Sequence, residues 1–145
     1  MYDRILLPTD GSRGTNRAID QALELAAQTG AELHVLFVVE DLPYAPEMMD
    51  GEIEARLRVI GEEAIEEIRE RAEDKDITLE TAIEEGVPHR SILEYTEEND
   101  VDLIVMGTQG RSGLDRYLLG SVAERVVRGS KAPVLTVRVG DVPDV

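Results

Sequence analysis

The sequence predicts a doubly wound α/β domain, a parallel five-stranded sheet with helices on both faces. Three observations carry that prediction. Short apolar runs alternate with longer segments whose apolar residues recur every three or four positions. Five such runs and four such segments follow one another, and strict strand–helix alternation is built by parallel strands joined through crossover helices. The run Leu33 to Val39 is dense in valine and hardly alternates with polar residues, as expected of a strand covered on both sides.

Taken in order, Arg4-Ile5-Leu6-Leu7 is the first strand, with Pro8 expected to end it, and Thr9-Asp10-Gly11-Ser12 is turn chemistry. Ala18, Ile19, Ala22, Leu23, Leu25 and Ala26 mark the first helix, which stops at Gly30. Leu33 to Val39 is the second strand, and residues 40–50 form an acidic loop holding Pro43 and Pro46. The second helix is long. Ile53, Leu57, Ile60, Ala64, Ile68 and Ala72 are spaced to share one face, with Glu and Arg on the other. Thr78 to Ile83 is the third strand, and Pro88 suits the first turn of a helix reaching about Glu98. Leu103-Ile104-Val105-Met106 is the fourth strand, Ser121 to Arg128 the last helix and Val134 to Val139 the last strand. No linker, repeat or low-complexity tract interrupts the series, so residues 1–145 are expected to form a single domain.

Composition narrows the function. A hydrophobic content of 42% supports a packed core. No signal peptide is recognisable after Met1, and no apolar stretch approaches the roughly 18 residues of a membrane span, so a cytoplasmic location is expected. The absence of cysteine excludes disulfides and thiolate chemistry, and two histidines, His34 and His89, are too few for a histidine-rich metal site. The net charge is −16, and only Lys75 and Lys131 among the 15 basic residues are lysine. Such a field repels nucleic acid, and sparse lysine with abundant acid suggests adaptation to high salt, where screening makes surface acids tolerable. Charge is also uneven. Leu103 to Val139 holds two acids, Asp115 and Glu124, against six bases, giving +4 there and −20 elsewhere. An anionic ligand has one favourable region to approach.

That region contains Gly107-Thr108-Gln109-Gly110-Arg111-Ser112-Gly113, followed by Gly120-Ser121. The stretch leaves a buried strand and ends at a helix start, the place where doubly wound sheets bind ligands. Glycines allow backbone to approach a ligand closely. Ser121 reads as the N-cap of the last helix, whose first N–H groups attract anions. A phosphate between the Gly107–Gly110 turn and Ser121 would meet several N–H donors, with Arg111 and Arg116 adding charge. A tight surface loop without a ligand is the plainer alternative. No G-x-x-x-x-G-K-[ST] motif is present, and the turn after the first strand lacks G-x-G-x-x-G. A receiver domain is disfavoured, because Lys131 precedes the last strand where that fold needs a lysine after it.

Gly107-x2-Gly110-x9-Gly120-Ser121 resembles the nucleotide-binding signature of the universal stress protein family, in its ATP-binding branch. The opening Ile5-Leu6-Leu7-Pro8-Thr9-Asp10-Gly11-Ser12 and the closing Ala132-Pro133-Val134-Leu135-Thr136-Val137-Arg138 are similar to the same family, so the likeness spans the chain. It implies the strand order 3-2-1-4-5, with the switch point between strands 1 and 4. It also implies roles: Pro8, Thr9, Asp10 and Met106 at adenine and ribose, with Val38 contacting adenine through its backbone. Gly107, Gly110, Arg111, Gly120, Ser121 and Val122 would surround the phosphates. The implied ligand is ATP, or ADP or AMP, with Mg²⁺ or Mn²⁺, and the implied role is a stress-response or regulatory module. The family resemblance further implies a homodimer joined through the edge strand Val134 to Val139, whose β-branched, nearly uncharged sequence would otherwise be a bare pairing edge.

Each residue also has a plainer reading. Asp10 can be a turn residue, Met106 a core residue, and Met48 and Met49 packing of the acidic loop. His34 and His89 are expected to be structural. Arg125, Arg128 and Lys131 follow from the dipole at a helix C-terminus. Ser12 and Ser112 have no histidine partner identifiable from spacing, so nucleophilic catalysis has no support. The chain is therefore expected not to be an enzyme, slow ATP hydrolysis aside. An adenine-nucleotide hydrolase or transferase on the same fold, or a structural partner that binds no nucleotide, are the competing functions.

Overall fold

Alternating apolar runs and amphipathic segments fold into β1 (Arg4–Thr9), α1 (Asn16–Thr29), β2 (Glu32–Glu40), α2 (Gly51–Ala72), β3 (Leu79–Gly86), α3 (Pro88–Glu98), β4 (Leu103–Gly107), α4 (Ser121–Gly129) and β5 (Val134–Val137). The structure is a computed structural model, and it describes residues 2–12, 15–40, 51–108 and 120–138. Met48, Met49, Gln109, Gly110, Arg111, Ser112, Arg116 and Val139 lie outside those residues. The strands form one sheet in the order β3-β2-β1-β4-β5, and every pair is parallel. This is the order that the family resemblance implies.

Two apolar clusters account for the layers. Ile5, Leu7, Leu33, Val35, Phe37, Leu103 and Val105 face α1 and α2. Leu6, Leu36, Ile104 and Met106 face α3 and α4. Alternate residues of the central strands thus enter opposite layers, which is why their sequences read as unbroken apolar runs. Connections leaving β1 and β4 move in opposite directions along the sheet, and right-handed crossovers then put their helices on opposite faces. On one face the approach is very close: a Cβ on Gly61 of α2 would lie 2.6 Å from the Phe37 ring of β2.

Three local expectations need correction. β1 does not end at Pro8 but continues through Thr9, paired with β2 as Pro8↔Leu36 and Thr9↔Phe37. Proline is tolerated there because only its β2-directed neighbours need donors. The Glu32 N–H bonds Asp3 C=O, so odd-numbered residues of β1 point their polar groups at β2 and Pro8 points at β4. Second, Ile53 is 38% exposed, and the core face of α2 instead gains Ile65, 6% exposed. Third, β3 runs further than expected, to Gly86.

One carboxylate joins the two central strands at their starts. Asp102 Oδ2 accepts hydrogen bonds from the N–H groups of Asp3 (2.7 Å) and Arg4 (2.9 Å), and the Asp102 N–H bonds Arg4 C=O at 2.9 Å. Those two backbone donors, aided by the Arg4 guanidinium, hold the Asp102 carboxyl below its usual range despite partial burial. A depressed carboxyl contributes stability above the unfolded value near 3.9 and loses it as pH falls through the folded value. Asp102→Asn should therefore cost about 1 kcal/mol at neutral pH, a low figure because the group is half-exposed. The difference from wild type in urea melts should shrink as pH drops below about 4. A pH-independent difference would show that the charge plays no part.

Candidate functional site

The loop after β1 is held by its own side chains. Thr9, 7% exposed, accepts a hydrogen bond from the Gly11 N–H at 3.1 Å, and Asp10 Oδ1 accepts one from the Ser12 N–H at 2.9 Å. Side-chain oxygens accepting from backbone two residues on are what turns such as Thr-Asp-Gly-Ser are built from. Gly11 takes a φ of +79°, a left-handed conformation that suits glycine. Thr15 Oγ1 closes the turn by donating to Ser12 C=O at 2.8 Å. Beside this turn lies a cleft of about 260 Å³, bounded by Thr9, Ser12, Thr15 and Asn16 on one side and by Ala64 and Glu67 of α2 on the other.

Beyond β4, Thr108 joins three elements. Its N–H donates to Val137 C=O of β5 at 3.0 Å, and its C=O accepts from the Gly120 N–H at 2.5 Å. The start of α4 is thereby carried to the end of β4. Gly120, with φ −65° and ψ 158°, is the N-cap of α4, and its C=O accepts the first helical bond, from the Glu124 N–H at 2.9 Å. Ser121 is the first helical residue and not the cap expected from its hydroxyl; it is exposed, and no side chain caps the helix. The correction has a physical basis: the extended backbone of the cap falls on Gly120, one residue earlier. The N–H groups of Ser121, Val122 and Ala123 therefore have no intrahelical acceptor, and the positive end of the α4 dipole lies beside β4.

These placements bring most of the expected site residues to one end of the sheet. Pro8 and Thr9 are buried at the end of β1, Asp10 half-buried just beyond it, and Met106 and Gly107 buried at the end of β4. Val38 lies next in β2 after Phe37, the partner of Thr9, and is half-buried. Gly120 is buried, Ser121 exposed and Val122 half-buried at the start of α4. Gly110 and Arg111 fall outside the described residues. Among the described residues, no group of three or more His, Asp or Glu side chains could hold a metal ion.

Sequence reasoning gave two residues here no ligand role. Ser12 Oγ and Thr108 Oγ1 are the buried side-chain oxygens that lack a hydrogen-bond partner among the described residues. One follows β1 and the other follows β4, the two strands at the switch point. The signal was present in Asp-Gly-Ser and Gly-Thr-Gln-Gly, where a small hydroxyl residue sits within a glycine turn just past an apolar strand.

The histidines lie elsewhere. His34 is buried between Tyr95 OH (2.6 Å from Nδ1) and Glu32 Oε1 (3.0 Å from Nε2), a satisfied core arrangement. Burial, then the Arg125 and Arg90 charges, push the His89 imidazole down. Arg128 pairs with Glu124 at 3.0 Å and Lys131 with Glu97 at 3.7 Å, as surface charges of α4 and its surroundings.

Comparison with known proteins gives this arrangement a family. The model of the Universal stress protein family matches residues 1–138. The chain belongs to the universal stress protein family. Universal stress protein MJ0531 of Methanocaldococcus jannaschii is 39% identical over 141 residues, covering 95% of this chain and 83% of that protein. The solved structure of the hypothetical protein MJ0577 superposes with a TM-score of 0.86 at 31% identity, covering 98% and 99% of the two chains. A universal stress protein crystallised in complex with cAMP superposes with a TM-score of 0.70 at 29% identity, covering 96% and 98%. No helix among the described residues of this universal stress protein is long and apolar enough to cross a membrane.

Proposed function

We propose that this universal stress protein, as a single domain over residues 1–145, binds ATP at the ends of β1 and β4 and acts as a cytoplasmic stress-response module. The observation that carries the reading is the Thr108–Gly120 hydrogen bond, which sets the start of α4 against the end of β4 and so brings Gly120 close to Gly107, an arrangement that supports an anion site there. The cAMP complex of a 29% identical relative supports an adenine nucleotide. In this reading Pro8, Thr9, Asp10, Val38 and Met106 surround adenine and ribose. Gly107, Gly110, Arg111, Gly120, Ser121 and Val122 surround the phosphates. No acidic cluster among the described residues would hold Mg²⁺ or Mn²⁺, so the ion would arrive with the nucleotide and neutralise phosphate charge. No lysine enters the glycine stretch and no general base is identifiable from the sequence, so in this reading the module reports nucleotide through conformation or partner binding, slow hydrolysis aside.

The edge strand carries a second part of the proposal. Ile104 N–H bonds Pro133 C=O and Thr108 N–H bonds Val137 C=O, so odd-numbered residues of β5 face β4. The backbone polar groups of Val134 and Thr136 then face away from the sheet, and Leu135 is 36% exposed. An antiparallel two-fold pairing of Val134 to Val139 with a second copy satisfies them. The acidic surface carries a third. Glu84 is half-buried beside Glu94 and Glu98, and burial followed by those two charges pushes its carboxyl up. Such crowding suits a protein that works in high salt.

Three outcomes test this. Calorimetric titration with Mg-ATP at high salt should give a micromolar dissociation constant, about −8 kcal/mol. Gly120→Val, whose backbone angles a β-branched residue can adopt, should abolish binding while the protein still melts cooperatively, lowered only by the loss of a good helix cap. No heat with folded wild-type protein would refute the nucleotide site. Thr136→Pro removes an outward N–H and no β4 bond, so light scattering should show wild-type dimers become monomers; a wild-type monomer at tens of micromolar would end the dimer proposal. Melting should rise from about 0.1 M to about 1 M KCl as the Debye length falls from about 10 Å to about 3 Å. Glu84→Gln should flatten both that rise and the loss of stability as pH climbs through the raised Glu84 value, whereas a wild-type protein indifferent to salt would exclude the adaptation.

A further inference from the structure

Thr108 has a side chain that its own fold does not use. The residue is 7% exposed, and both of its backbone polar groups are engaged, the N–H with Val137 C=O and the C=O with the Gly120 N–H. Its hydroxyl oxygen is buried without a partner among the described residues. Packing does not call for that hydroxyl, because valine fills the same volume without burying a polar atom. A hydroxyl removed from water and left unbonded is a net cost to the fold.

The surroundings indicate what would satisfy it. Ile104 and Met106 belong to the α3–α4 layer, and strand alternation carries that direction on to Thr108, the residue bonded to the N-cap of α4. The first turn of the nine-residue α4 offers N–H groups without intrahelical acceptors, and no side chain among the described residues caps them. These are two independent deficits of the same sign at one place: unpaired backbone donors and an unpaired hydroxyl able to donate. An anionic oxygen acceptor satisfies both, and hydrogen bonds to charged acceptors are strong in water-poor surroundings.

We propose that Thr108 is a phosphate-binding residue, its hydroxyl donating to a phosphoryl oxygen held at the N-terminus of α4. The proposal rests on the nucleotide reading above and adds a side-chain contact to a phosphate site otherwise assigned to backbone, Arg111 and Ser121. Thr108 then favours the phosphorylated ligand over the bare nucleoside.

The test is Thr108→Val, with Thr108→Ser as the variant that keeps the hydroxyl. Wild type should bind ATP, Thr108→Val should bind it about tenfold more weakly, equivalent to about 1.4 kcal/mol, and Thr108→Ser should retain most of the affinity. Adenosine, measured by competition, should bind wild type and Thr108→Val alike. Ligand-free Thr108→Val should melt at or above the wild-type temperature, since it loses an unsatisfied polar atom. ATP affinity unchanged in Thr108→Val would overturn the assignment while leaving the nucleotide site in place. A ligand-free Thr108→Val that melts several degrees lower would also overturn it, by showing that the hydroxyl bonds within the fold or to a buried water. Wild type that binds no ATP would remove the proposal together with the reading it rests on.

Discussion

The end of the sheet that carries the proposed site depends on how β1 and β4 are joined at one end and unpaired at the other. They are the adjacent strands from which connections leave in opposite directions, so no crossover covers the gap between them. At their starts Asp102 binds them together, its carboxylate accepting from two consecutive N–H groups of the segment entering β1. At their ends Pro8 directs a ring in place of an N–H toward β4. The recorded β1–β4 register accordingly stops at Leu6↔Ile104, while β1 stays paired with β2 as far as Thr9↔Phe37. A carboxylate clamp below and a missing donor above leave β1 and β4 paired at their starts and not at their ends.

What lines those ends is nearly all backbone and hydroxyl. Thr9 and Asp10 spend side-chain oxygens on turn N–H groups, which fixes the β1 loop before any ligand arrives. Thr108 holds β4, β5 and the start of α4 in one place through two main-chain bonds. The acid in the first turn of α4, Glu124, pairs with Arg128 one turn further along, which draws its charge away from the helix start. The donors left over are short-range dipoles in fixed positions, well suited to an anion and costing little reorganisation when one binds.

The architecture was legible because burial on two faces leaves an unmistakable mark: Leu33 to Val39 and Leu103 to Met106 could hardly be anything but covered strands, and Pro88 and Gly30 bound their helices where expected. The errors share one cause, which is that composition does not reveal direction. Pro8 reads as a strand breaker until the side on which its missing N–H falls is known. Ser121 has the right chemistry for a cap but stands one residue too late, because Gly120 already takes the extended backbone. Ile53 has the right spacing for the α2 face, yet it lies near the helix start and reaches 38% exposure, while Ile65 packs inward beside Ile68. Ser12 and Thr108 were hidden for a different reason, since a hydroxyl in a turn becomes informative only once every nearby acceptor has been counted.

Charge distribution adds a last constraint on a ligand of the proposed kind. The C-terminal segment carrying the glycines is +4, but the rest of the chain is −20, and at low ionic strength that larger field opposes any polyphosphate. A site relying on long-range attraction from lysine would lose its advantage in salt along with the repulsion it offsets. Fixed N–H and O–H donors behave differently. Their reach is a few ångströms, shorter than or comparable to the Debye length even near 1 M salt, so added salt screens the distant acids more than it weakens the contacts. Hydrogen-bond donors fixed at the Thr108 hydroxyl and in the first turn of α4 are thus the kind of recognition that an acidic protein can keep at high salt.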